Sequence, residues 1–289
     1  MRYRREHDAI VECPACGLLY ANPQYTPNEL VALYRRDYYS EDNTLRGTFR
    51  RDEQQTNRVL YRTVLRDLLR RYPQLAPAGG QGPRRVLDYG CGPGYFLAEC
   101  REAGFEPTGV EFSEIAAQYG RERLDLNILL DPDAALPSLP DAHYHLVTAW
   151  AVIEHTRRPR DVLTQLASKL VPGGVLCLTI PNLRCWRYLV ERGRWFNMAN
   201  PTHLVFFNRR NMRRLLRELG LVRITRPVFW GGRPGFGVAA NLVQYLVRLM
   251  DMGSDDRIYA ERATQTGMAD HCRRETRKAP GTGQVRPAP

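Results

Sequence analysis

Apolar and polar positions along the chain fall into short strands separated by amphipathic helices. Val86-Leu87 is a brief apolar run that ends at Asp88. A glycine-rich turn follows, then a helical stretch at 95–103 with Gly104 placed as its C-cap. A second strand, 108–110, stops at Glu111, and Ser113 is a good N-cap for a helix over 114–123. Strands are also read at 126–130, 144–150, 175–180 and 221–226, with 257–263 as a seventh. A helix at 52–71 repeats its apolar residues (Val59, Leu60, Val64, Leu65, Leu68, Leu69) close to every 3.6 positions. Another covers 159–170 and runs into the turn 171–174. Asn208 caps a helix with Met212, Leu215, Leu216 and Leu219 on one face, ended by Gly220. Strands alternating with helices predict an α/β, doubly wound domain.

Around that domain the pattern weakens. Residues 1–45 read as a leader, 46–83 as a helix and a Pro/Gly-rich linker, 84–263 as the main domain, and 264–289 as a polar, basic, disordered tail. The leader holds a helix from Leu30, then a loop bearing Tyr38-Tyr39. An apolar helix at 236–252 is too short to cross a membrane. With no long apolar run and no hydrophobic N-terminal signal, the expectation is a soluble, cytoplasmic protein. Seven scattered cysteines do not make a disulfide framework and suit a reducing compartment.

Charge changes the picture in one place. Of the net +11, residues 184–233 carry +10, from 12 arginines against Glu191 and Glu218, interleaved with aromatic side chains. Arginines on the helix after Asn208 lie opposite its apolar face and read as a solvated surface. Those at 184, 187, 192 and 194 have no such face to occupy, and guanidinium forks suit phosphate and carboxylate.

The candidate chemistry centres on 84–113. Glycines at 90, 92 and 94 let the backbone approach a ligand, and the following helix aims unpaired N–H groups at it. An acid about 20 residues on, Glu111, can accept hydrogen bonds from both ribose hydroxyls. A dinucleotide turn would require glycine where Tyr95 stands. Asp88, just before the turn, would repel a pyrophosphate and welcome a cationic amino group.

Asp88-x-Gly90-x-Gly92-x-Gly94 with Glu111 closing the next strand resembles the class I S-adenosylmethionine-dependent methyltransferases, of the small-molecule type. The resemblance implies a Rossmann-like, mostly parallel seven-stranded sheet with an antiparallel last strand. It implies S-adenosyl-L-methionine as cofactor, held by Asp88, Gly90, Cys91, Gly92, Gly94, Glu111 and Phe112. Asp131 and Asp133 are both candidates for the adenine amino group, and Trp150 is placed near the adenine or the sulfonium. The sequence Val-x-Glu154-His155 is similar to that of quinone and phenol O-methyltransferases, some of which use these residues for a divalent metal. It makes His155 the first candidate for general base, with Glu154 orienting it, and His203 the second. Tyr39 is read as part of a lid or as a packing residue, and the segment 183–207 as a substrate cover with Arg184, Arg187 and Arg194 facing an anionic acceptor.

The leader's Cys13-Pro-Ala-Cys16-Gly17 is similar to half of the zinc ribbon found in such enzymes. A structural zinc needs four ligands, and His7 is the one nearby addition, so the reading is a tight turn without metal. An upstream start carrying the other pair is the second explanation. The function expected is O-methylation of a hydroxyl on a sugar, lipid-linked glycan or natural product, with a quinone or phenol as the alternative. Nucleic-acid methylation is set against the absence of an Asn/Asp-Pro-Pro-aromatic signature after strand 144–150, so no stable nucleic-acid partner is expected. A non-catalytic cofactor-binding protein, or one with weak membrane-surface contact through residues 186–196, completes the alternatives.

Overall fold

The computed structural model describes residues 2–37, 56–77, 82–227 and 255–264. Its elements, in chain order, begin with β1 (Tyr3–Arg4), β2 (Ala9–Glu12), β3 (Leu19–Asn22), α1 (Pro27–Asp37) and α2 (Thr56–Arg71). The nucleus follows as β4 (Arg84–Tyr89), α3 (Tyr95–Glu102), β5 (Phe105–Glu111), α4 (Glu114–Leu124), β6 (Asn127–Leu130), α5 (Pro132–Ser138) and β7 (Tyr144–Trp150). Then come α6 (Pro159–Lys169), β8 (Leu170–Pro181), α7 (Trp186–Glu191), α8 (Phe196–Ala199), β9 (Val205–Phe206), α9 (Arg209–Glu218), β10 (Leu221–Thr225) and β11 (Asp255–Arg262).

Seven strands form the main sheet in the order β10-β11-β8-β7-β4-β5-β6. β6, β5, β4, β7 and β8 run parallel, whereas β11 pairs antiparallel with both β8 and β10. Successive residues of a strand point to opposite faces, so paired apolar runs bury both sides of the sheet. Val86, Leu146, Val175, Cys177 and Tyr259 pack with Leu68 of α2 and Phe96 and Leu97 of α3. Leu87, Val147, Leu176 and Ile258 pack on the other face with Leu163 of α6 and Met212 and Leu216 of α9.

Helix starts follow the side-chain oxygens. Ser113 Oγ accepts from Ala116 N at 3.2 Å, and Asn208 Oδ1 accepts from Asn211 N at 2.9 Å. The turn read at 171–174 lies inside β8. Leu170 pairs with Tyr144, the register shifts, and Val175 resumes opposite Leu146. Gly173, at φ 76°, supplies the backbone conformation for this bulge.

The leader is built into a second sheet, antiparallel, in the order β1-β2-β3-β9. Cys13 to Gly17 closes the β2–β3 hairpin, with Gly17 N donating to Cys13 O at 2.8 Å. β9 comes from the segment read as a substrate cover, so leader and cover share hydrogen bonds: Tyr20 pairs with Val205 and Leu19 with Phe206. Trp195, 1% exposed, is among the largest buried side chains and packs in the core that the leader residues Ile10 and Ala21 also enter. No helix among the described residues is long and apolar enough to cross a membrane. The expected helix at 236–252 and the tail from 265 lie outside the described residues, as does Tyr39.

Candidate functional site

The carboxyl ends of β4, β5 and β7 converge on the glycine turn, the crevice where doubly wound sheets place ligands. Gly90 sits at φ 73°, and a Cβ there would lie 2.4 Å from Val152 Cγ2. Only glycine lets the turn after β4 lie against the loop after β7. Gly92, at φ 54°, has no atom of the described residues within 4 Å of where a Cβ would stand, so they leave space beside it. The two glycines thus do different work: one closes the backbone packing, the other leaves room beside it.

Asp88, next to last in β4, lies between Gly109 of β5 and Thr148 of β7 and is 1% exposed. Thr148 Oγ1 donates to Asp88 Oδ1 at 2.6 Å, while Asp88 Oδ2 is buried without a hydrogen-bond partner among the described residues. Burial pushes its carboxyl up to about 7, opposed by the Thr148 hydrogen bond and reinforced by Glu111. Glu111, also buried, accepts from Gly92 N at 2.7 Å and from Ser113 N at 2.8 Å. A carboxylate offers about four acceptor sites, so Glu111 can also accept from a ribose hydroxyl. Phe112, next in the chain, is 47% exposed and offers an apolar face at the same rim. A carboxylate oxygen unpartnered among the described residues, a glycine with space beside it and an anchored acid fit a nucleoside that carries a cationic group.

The other cofactor candidates are placed as follows. Asp131 accepts from Ala134 N at 3.3 Å and so caps α5. Asp133 stands in the first turn of that helix and, with Glu111, acts on the Tyr89 phenol, which burial drives up to about 12. Cys91 lies over Gly109, where a Cβ would come within 2.6 Å of its Sγ. Trp150 packs edge-on to Phe96, ring centroids 5.1 Å apart, and beside Tyr61, under the Arg257 guanidinium, with its indole N–H buried and without an acceptor among the described residues.

Across the turn from Asp88, a third group assembles. After β7 the chain passes Ala151 at φ 52°, held by Ala151 N donating to Thr179 Oγ1 at 2.8 Å. One 3₁₀ turn, Ile153–His155, then presents Glu154 and His155. Leu204 N donates to Glu154 O at 2.7 Å and brings in the loop that bears His203. The His155 and His203 rings meet edge-to-face at 4.6 Å. Glu154 and His203 are buried, with Glu154 Oε2 and His203 Nδ1 lacking hydrogen-bond partners among the described residues, while His155 is partly exposed. Burial holds the Glu154 carboxyl up at about 8 and both imidazoles down, His155 to about 4. All three candidates from the sequence therefore meet in one cluster.

The arginines of the cover segment do not meet in this way. Arg184, Arg187, Arg192 and Arg194 are exposed, and Arg187 forks onto Glu191 within α7 at 2.8 Å and 3.3 Å. Cys13 and Cys16 stay free thiols, and backbone N–H groups of Cys16 and Ala15 hold the Cys13 thiol below its usual value. The one group of three metal-type ligands gathered among the described residues excludes both.

Two residues escaped the sequence reading. Thr148 governs Asp88 from the next strand, and Arg5 governs His203 from the leader. Arg5 forks onto Asp8 with two 2.5 Å hydrogen bonds and donates to the carbonyls of Asn200 at 2.6 Å and His203 at 3.1 Å. Strand alternation could have flagged Thr148, but no local signal marks Arg5.

A methyltransferase domain family matches residues 58–225. Among similar proteins, a ubiquinone biosynthesis O-methyltransferase of Bordetella avium is 32% identical over 102 residues, 34% of this chain and 42% of that protein. A probable S-adenosylmethionine-dependent methyltransferase of Mycolicibacterium smegmatis is 30% identical over 149 residues, 51% of this chain and 56% of its own length. The chain thus spans about half the length of the curated relatives it matches. A SAM-dependent methyltransferase structure from Archaeoglobus fulgidus shares the fold at TM-score 0.50 and 24% identity, over 70% of this chain and 94% of that one.

Proposed function

This chain belongs to the methyltransferase domain family, and we propose that its acceptor is a hydroxyl group of a small molecule. It is a class I S-adenosylmethionine-dependent enzyme. When bound, the cofactor supplies a methyl group on a sulfonium, open to in-line displacement. An acceptor hydroxyl that took this methyl would have to give up its proton to a group of the protein.

The chain's own residues supply placement and a destination for that proton. Asp88, ionised, would pair with the cofactor's ammonium group, Glu111 would take the ribose, Phe112 would lie against the base, and Gly92 would leave the room. The observation that carries the hydroxyl reading is the meeting of Glu154, His155 and His203 beside the loop that touches Gly90. His155 Nδ1 faces the Thr202 carbonyl at 3.0 Å, which can only accept, so Nδ1 holds the proton and Nε2 the lone pair. In its simplest form the cluster receives the hydroxyl proton at His155 Nε2.

A phenol or quinone-type hydroxyl is the acceptor we favour, supported by the name of the Bordetella relative. A sugar or lipid-linked glycan is the second reading. Exposed Trp186, Val190 and Phe196 among the arginines of the cover segment support it, because such a surface suits an anionic or lipid-borne substrate.

The test supplies the purified chain with S-adenosylmethionine and, in parallel, a catechol-type phenol and a nucleotide sugar. S-adenosylhomocysteine and the methylated product are quantified by mass spectrometry. Turnover on the phenol that falls about a hundredfold or more in His155→Ala supports the reading. Methyl appearing on nitrogen or carbon, or a His155→Ala rate within a few-fold of wild type, refutes it.

A further inference from the structure

A cavity of about 460 Å³ lies at the amino end of the parallel strands, away from every residue assigned to methyl transfer. Among the described residues its walls include Leu75, Arg84, His145, Arg223 and Glu261. Arg84 opens β4 and His145 is the second residue of β7, whereas Asp88 lies four residues beyond Arg84. At about 3.3 Å per residue, cavity and cofactor crevice are about 13 Å apart along the strand. A cavity of this size suits a small organic ligand.

Two irregularities of the sheet border this cavity. In β8 the bulge at 171–174 interrupts the pairing with β7 and forms one wall. In β10 the register against β11 shifts between Val222 and Thr225, and Arg223, inside that shift, sits at φ 46°. A left-handed backbone is costly for an arginine, and such strain gathers where a ligand is clamped. Arg223 Nη1 donates to Glu261 Oε2 at 3.1 Å, which fixes the guanidinium at the wall. Arg85 N donates to His145 Nδ1 at 3.1 Å, so the ring proton sits on Nε2. Burial, then Arg84 and Arg85, hold this imidazole down to about 4, which makes it a neutral donor at pH 7. Arg84 and Arg223 against Glu261 leave the wall one positive charge in excess. That excess matches a monoanion, whereas a phosphate dianion beside Glu261 would be half compensated. Guanidinium forks fit carboxylates, and Leu75, Val171 and Pro172 offer apolar surface for a carbon body.

We infer that this cavity is a second ligand site, for a small organic monocarboxylate, which fills alongside the cofactor. The carboxylate meets the Arg223 guanidinium and the His145 N–H, Arg84 adds charge, and the carbon body lies against Leu75 and the β8 bulge. None of these residues is assigned to cofactor or acceptor, so the site stands whichever acceptor the enzyme takes.

Calorimetric titration of the full chain, with S-adenosylhomocysteine present, uses benzoate as the probe and inorganic phosphate as the charge control. One benzoate per chain is expected, with phosphate binding more weakly. Arg223→Gly removes the guanidinium and suits the left-handed backbone, so the fold should be kept. Benzoate binding in this variant should weaken at least about tenfold. Arg84→Gln is run alongside and should weaken benzoate as well, with the S-adenosylhomocysteine affinity of both variants unchanged. His155→Ala, in the acceptor cluster, should bind benzoate as wild type does. Absence of stoichiometric benzoate on the wild-type chain, or phosphate bound as tightly as benzoate, overturns the inference. So does undiminished benzoate binding in Arg223→Gly or Arg84→Gln, or its loss in His155→Ala, which would place the probe in the acceptor cluster.

Discussion

Replacing Asp88 by Asn isolates the energetics of the cofactor pocket. The substitution keeps the oxygen that accepts from Thr148 Oγ1 and the volume of the side chain, and it removes ionisation. Burial raises the carboxyl from 3.8 to about 7 in the folded chain. An acid whose folded value is raised opposes folding as pH increases. Between pH 4 and 7 the unfolded chain releases the proton while the folded chain retains it, and above 7 the cost is constant. At about 1.4 kcal/mol per pH unit, the wild type should lose roughly 4 kcal/mol from this one group across that window. Asp88→Asn lacks the loss, so the stability difference between variant and wild type should grow in the variant's favour from pH 4 to pH 8. Urea denaturation of both proteins at pH 4.5, 6, 7 and 8 measures it. Calorimetric titration with S-adenosylhomocysteine supplies the counterpart. A cationic ligand selects the ionised acid, so wild-type affinity should rise about tenfold per pH unit up to about 7 and then level, whereas Asp88→Asn binds weakly with little of this dependence. A stability difference that stays flat with pH would show that burial does not raise the Asp88 carboxyl.

Other consequences are more local. Gly90→Ala meets both a left-handed backbone, which costs about 1–2 kcal/mol, and the β-branched Val152 at 2.4 Å, so it should lower the denaturation midpoint well beyond Gly92→Ala. Gly92→Ala clashes with no atom of the described residues, and a loss of S-adenosylhomocysteine affinity much larger than its loss of stability would place the ligand at that glycine. Arg5→Lys keeps the charge but cannot reproduce the fork onto Asp8 together with the carbonyl bonds; a cost of about 1–3 kcal/mol, read by urea denaturation, is the outcome for a side chain 7% exposed. Trp195→Ala, at 1% exposure, should cost about 3–5 kcal/mol in the same assay, and an unchanged midpoint would deny that the leader and cover segment share a core.

The seven-stranded sheet was legible because its signals are local. A strand that is buried on both faces must be apolar throughout, a turn at φ 73° must be glycine, and a helix start needs a side-chain oxygen such as that of Ser113. These requirements act within a few residues, so they are written in order along 84–113. The same holds for Asp88 and Glu111, which lie at the carboxyl ends of adjacent strands and therefore face one crevice.

What lies across the crevice obeys a different rule. Glu154 and His155 stand on one short turn, but His203 reaches them only because Leu204 bonds to the Glu154 carbonyl and β9 adds to the leader's sheet. Two-residue strands such as β1 and β9 leave no periodicity to read, and a guanidinium that bonds carbonyls nearly 200 positions away leaves none either. The sequence by itself determined the parallel sheet, the glycine turn and the two acids for the cofactor, since local backbone sterics and strand burial permit little else. Only the tertiary structure decided that Asp88 is sealed with one oxygen unpaired among the described residues, that the leader clamps the cover segment, and that a carboxylate and two imidazoles share one buried cluster. Burial and the meeting of remote side chains are properties of packing, and packing is fixed by all the elements together.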